Sequence, residues 1–80
     1  MATLIKSDGT RQENYADITL CGMQSAVGGY IELVYLADNK MLVVNEEGAI
    51  RSLSRNVEAS QLASQTIVGD VLLMNQNEID

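Results

Sequence analysis

The pattern of apolar and polar residues is best ordered between Val27 and Gly48, VGGYIELVYLADNKMLVVNEEG, which reads as a helix stop, a strand, a tight turn, a second strand and a closing turn. Tyr30 to Leu36 is rich in β-branched and aromatic residues and predicts a strand. Asp38-Asn39-Lys40 predicts a compact turn and Met41 to Asn45 a returning strand, and so short a connection makes the pair antiparallel. On the first strand Tyr30, Glu32, Val34 and Leu36 share one face, with Ile31, Leu33 and Tyr35 on the other; the second set reads as the core face. In the returning strand Met41 and Val43 are as apolar as Leu42 and Val44, which predicts a strand covered on both sides. Glu46-Glu47-Gly48 closes the unit with a turn.

The flanking segments complete the pattern. Ala2 to Lys6, with Leu4 and Ile5, predicts a strand, Asp8-Gly9 a turn, and Arg11 to Tyr15 a polar strand returning along an edge. Asp17 or Thr19 can cap a helix whose apolar face is Leu20, Met23 and Val27; Gly22 weakens it by about 1 kcal/mol relative to Ala, and Gly28 suits its left-handed end. Ala49 to Leu53 reads as a short extended or irregular link. Ser54 or Asn56 can cap a second helix carrying Val57, Ala59, Leu62 and Ala63. Ile67 to Met74 predicts a last strand, bent at Gly69-Asp70, and residues 76–80 read as a frayed end. The expected fold class is α+β: a small single domain over residues 1–80, a mostly antiparallel β-sheet with two short helices in the order β-β-α-β-β-α-β.

Composition narrows what such a domain can do. Eighty residues make one domain, and a chain this size buries about 60–65% of its unfolded surface, so the core is small and self-association is favoured. Eleven acids against five bases give a net charge of −6, which disfavours nucleic acid and anionic membrane surfaces as partners. The lone Cys21 excludes an intrachain disulfide, and the absence of histidine removes the commonest general base and metal ligand. No apolar run is long enough to span a bilayer and no secretory signal pattern opens the chain, which predicts a cytoplasmic location.

Candidate chemistry is sparse. Gly28-Gly29 lies between a helix and a strand, the reverse of the order in a phosphate-binding loop. Asn45-Glu46-Glu47 reads as a solvated turn, because adjacent glutamates point apart and cannot easily share a cation. Cys21 has no histidine to activate it and reads as a structural thiol. No catalytic residues, metal ligands or cofactor are expected. Arg51, Arg55 and Asn56 form the best candidate ligand site, combining guanidinium forks with a helix N-terminus suited to an anion. Tyr30 and Glu32 are the candidate interface residues, since an exposed tyrosine on a strand can anchor a protein partner.

Four segments together, Ser7-Asp8-Gly9-Thr10, Val27-Gly28-Gly29-Tyr30-Ile31-Glu32, Leu42-Val43-Val44-Asn45-Glu46-Glu47-Gly48 and Ile67-Val68-Gly69-Asp70-Val71, carry a resemblance over nearly the whole chain. The sequence resembles a family of small uncharacterised proteins encoded by bacteriophages and other mobile elements, catalogued as a domain of unknown function. It departs from the pattern at Ser54-Arg55-Asn56, where similar members commonly have a proline. The resemblance implies a phage or prophage origin and action inside a bacterial host, and it supplies no catalytic residue or substrate. The expected function is that of a small phage-encoded binding protein that modulates or inhibits a host bacterial protein, as in counter-defence, without being an enzyme. The alternative is an oligomeric protein that binds or sequesters a small, nucleotide-like anionic ligand. A homo-oligomer is expected in either case.

Overall fold

In a computed structural model, which describes residues 2–48 and 50–78, the chain forms a five-stranded sheet with one helix on each face. The elements in chain order are β1 (Ala2–Ile5), β2 (Arg11–Tyr15), α1 (Leu20–Val27), β3 (Ile31–Tyr35), β4 (Lys40–Asn45), α2 (Val57–Ala63) and β5 (Val71–Asn75), followed by a 3-10 turn at Gln76–Glu78. The strand order is β2-β1-β5-β4-β3, with every neighbouring pair antiparallel. This is the expected α+β fold and element order. Among the described residues no helix is long and apolar enough to cross a membrane.

Two hydrophobic clusters sit on opposite sides of the sheet. Leu4, Met41, Val43, Leu72 and Met74 face Met23 and Val27 of α1. Ile5, Leu42, Val44 and Val71 face Ala59 of α2, together with Ile67. β4 is therefore covered on both sides, as its unbroken apolar sequence requires. β3 is covered on both sides as well: Ile31 and Leu33 pack beneath α1, while Val34 and Leu36 pack on the α2 side. Tyr35, expected in the core, is 65% exposed because it lies at the end of an edge strand with no neighbour beyond it.

Thr19 caps α1, its hydroxyl accepting the Gly22 N–H, and Asp17 holds Thr19 by accepting from both its hydroxyl and its N–H. Gly22, which weakens the isolated helix, is demanded by this cap, since a Cβ there would collide with the side chain and carbonyl of Asp17. Leu20 points to solvent, leaving Met23 and Val27 as the buried side of the helix. Gly28 ends it in the left-handed conformation at φ +82°.

The segment around α2 differs from the expected link and long strand. Residues 46–48 and 50–52 form turns, and Ala49 lies outside the described residues. The last strand begins at Val71, not Ile67. Instead Arg55 bridges Val68, Gly69 N–H donates to Ser54 C=O at 2.7 Å and Asn56 N–H to Ile67 C=O at 2.8 Å. These bonds close the base of α2 like a clasp. Ser60 reinforces it, its hydroxyl bonding both the N–H and the C=O of Ile67. Val57 and Leu62, expected to be apolar contacts of this helix, are exposed; the helix rests on its alanines.

The start of the expected frayed end is tied down. Gln76 N–H donates to Asn39 C=O, and its side-chain amide donates to the carbonyls of Leu36 and Lys40. Residues 79 and 80 lie outside the described residues. Gln76 thus fixes the β3–β4 turn, in which Asp38 and Asn39 both have positive φ.

Candidate binding surface

The residues expected to bind an anion are not assembled as one. Asn56 is 1% exposed and caps α2, its carbonyl oxygen accepting the Ala59 N–H. Its amide donates to Ile5 C=O and Gly69 C=O, each at 2.9 Å. Both halves of the side chain are committed inside the fold. Arg51 donates to Gly28 C=O at 2.7 Å, so its guanidinium satisfies a carbonyl at the C-terminal end of α1. Arg55 is exposed at the bridge to Val68, and among the described residues it makes no ion pair. The Asn45-Glu46-Glu47 turn is also structural at its first member: buried Asn45 accepts the Glu47 N–H and donates to Val27 C=O.

Tyr30 and Glu32 do share a surface. Tyr30 C=O accepts the Glu46 N–H at 2.9 Å, which extends the β3–β4 ladder by one pair and puts Tyr30, Glu32 and Val34 on the α2 side of the sheet. On that side a shallow groove of about 250 Å³ runs between the hairpin and the segment leaving α2. Val34 and Val44 contribute its apolar part, Glu32 and Glu46 its carboxylates, and Gln65 and Thr66 come from the segment leaving α2. Neither carboxylate has an ion-pair partner among the described residues, whereas Glu58, on α2, is held by Arg11 at 3.2 Å. Tyr30, 65% exposed, stands beside the groove on the same face.

A second cleft of about 330 Å³ lies at the end of α1, where Ser7, Ser25, Ser54 and Asp70 meet Gly28 and Leu53. Asp70 accepts the Ser7 N–H at 2.9 Å and so fastens the β1–β2 turn to the start of β5. The three hydroxyls and the carboxylate come from four separate segments, and no spacing in the sequence announces their meeting. Among the described residues no three acidic or cysteine side chains are grouped to hold a metal ion.

This combination of sheet, clasped helix and acidic groove can be set beside known proteins. The family DUF3846, a domain of unknown function, matches residues 1–80. The chain belongs to that family. No curated protein and no solved structure matches it. The family extends over both helices and all five strands, so the groove and the hydroxyl-lined cleft are built wholly from residues of the family domain.

Proposed function

We propose that this member of DUF3846 is a small phage-encoded protein that works by binding, not catalysis, and that it modulates or inhibits a host bacterial protein in the host cytoplasm, as in counter-defence. The observation that carries this reading is the groove, with two carboxylates that have no ion-pair partner among the described residues, beside an apolar floor and an exposed tyrosine. Such a surface suits a partner segment with a lysine or arginine flanked by apolar side chains. The carboxylates select the base and steer its approach, while Tyr30 supplies contact area at low entropic cost. The net charge of −6 acts in the same sense. It acts against the competing reading, an oligomer that sequesters a nucleotide-like anion, for which Asn56 is committed elsewhere and Arg51 is partly engaged.

Affinity capture from a bacterial extract at physiological salt, with the intact protein as bait, tests the proposal. A specific host protein should be retained by the wild type and lost by the Glu32→Lys/Glu46→Lys variant, while the same charge change at Glu13 and Glu47 leaves retention intact. Capture that ignores the groove reversal, or no retained protein at all, would sink the reading.

A further inference from the structure

β3 is the one strand of this sheet whose free side is regular, apolar and unblocked. It pairs with β4 without a break in register from Ile31–Asn45 to Tyr35–Met41. The bonds from Glu46 N–H to Tyr30 C=O and from Leu36 N–H to Lys40 C=O fix the phase of that ladder. Even-numbered residues aim their N–H and C=O groups at β4, so Ile31, Leu33 and Tyr35 aim theirs outward. No backbone partner meets these outward groups among the described residues.

We propose that β3 pairs antiparallel with β3 of a second copy of this chain, with Leu33 facing Leu33 on the two-fold axis. The assignment rests on self-complementarity. In this register Leu33 forms a hydrogen-bonded pair with its own equivalent, and Ile31 does so with Tyr35 at either end. All the outward groups of the strand are matched, in about six hydrogen bonds. The side chains match too. Ile31 meets Tyr35 on the α1 side, continuing the cluster that Ile31 and Leu33 already join. On the α2 side Glu32 meets Val34, so no carboxylate faces its own copy. Moving the axis to Glu32 would set Glu32 against Glu32 about 4.5 Å apart and strand the groups of Tyr35. Moving it to Val34 would leave Ile31 opposite Ala37, beyond the end of the strand.

Two features prepare the edge for this role. Gln76 clamps the β3–β4 turn, so the strand is presented in a fixed shape. The core is small, and edge pairing extends its apolar contact across the axis through Ile31, Leu33 and Tyr35. Pairing also sets the two acidic grooves side by side across the axis, since Glu32 and Val34 contribute to each. The dimer stands without the groove reading and goes beyond it.

Native mass spectrometry and sedimentation of the intact chain test the oligomer, and amide exchange tests the interface. The wild type should carry two chains, with the amides of Ile31, Leu33 and Tyr35 protected. Tyr35→Lys, at an exposed position the monomer tolerates, should give one chain and release that protection. Mild oxidation of the Cys21→Ser/Leu33→Cys variant should yield a covalent dimer, because a hydrogen-bonded pair places the Cα atoms about 5.5 Å apart. Cys21→Ser/Tyr35→Cys should yield none, its thiols being roughly 13 Å apart along the strands. A single chain at the concentrations NMR requires overturns the proposal. So does a dimer whose β3 amides exchange freely, which would place the interface elsewhere or reserve the edge for another protein's strand. Should Leu33→Cys fail to fold, the exchange pattern and Tyr35→Lys still decide. Salt separates the dimer from the groove complex: two copies of an acidic chain associate more tightly as salt rises, and a basic partner is held less tightly.

Discussion

The two edges of this sheet are built from opposite materials. β2 reads RQENY, exposed along most of its length, and its register with β1 slips between Ala2–Tyr15 and Leu4–Gln12. The extra residue is accommodated near Asn14, whose φ is +60°. Arg11 is drawn away to Glu58 on α2, and Glu13 accepts from the Thr3 hydroxyl. β3 reads IELVY, has no bulge and carries a single charge. A bulge and charged side chains are how native sheets stop an edge from recruiting another strand, and here only one edge has them. This fold closes one side of its sheet and leaves the other available, and the proposed pairing uses the open side.

Both edges belong to one sheet, and Asn56 is where their dependence on it is strongest. Its amide fastens β1, and with it the β2 edge, to the clasp of α2. Replacing Asn56 by Leu removes the cap and leaves the carbonyls of Ile5 and Gly69 without that donor. Urea denaturation should show a loss of about 2–4 kcal/mol. A loss below about 1 kcal/mol would mean the clasp does not hold the sheet together.

A smaller effect separates the edges directly. Asn14→Val forces a β-branched residue into the left-handed region and should cost about 1–2 kcal/mol, whereas Asn14→Gly should be close to neutral. Equal effects of the two changes in thermal melts would show that the β2 bulge is not the device that closes this edge.

The smallest effect lies in the β1–β2 turn. Hydrogen bonds from the Thr10 hydroxyl, and then from its backbone N–H, hold the Asp8 carboxyl below its ordinary value of 3.8, with a minor contribution from Lys6. A depressed folded-state value stabilises the turn above the unfolded value; that contribution fades as the pH falls from about 3.8 through the folded value. Thr10→Val should move the carboxyl upward in an NMR titration and remove that acid-side dependence. An unchanged titration would discard the Thr10 hydroxyl as its cause.

Much of this arrangement was legible in the residues. The β3–β4 hairpin and its compact turn, a cap for α1 at Asp17 or Thr19, the Gly28 stop and the double coverage of β4 all follow from local pattern; the left-handed residues of the turn and the choice of Thr19 came with the structure. Periodicity and cap chemistry act over a few residues and need no knowledge of neighbours. The groove was half visible, through Tyr30 and Glu32, because they alternate onto one face of one strand. Gln65 and Thr66, which complete it, are brought there only when α2 folds back.

Local residue pattern set the kinds of element and their order, though not every boundary, and composition set the acidic balance and the lack of histidine chemistry. Long-range packing settled which strands became edges, since β3 and β4 both carry apolar residues toward both faces of the sheet and pattern alone cannot say which has a second neighbour. It also turned Asn56 from a solvent-facing candidate into a buried fastening. An amide has the same chemistry in either place, and the carbonyls of Ile5 and Gly69, remote from it in sequence, determine where it is satisfied.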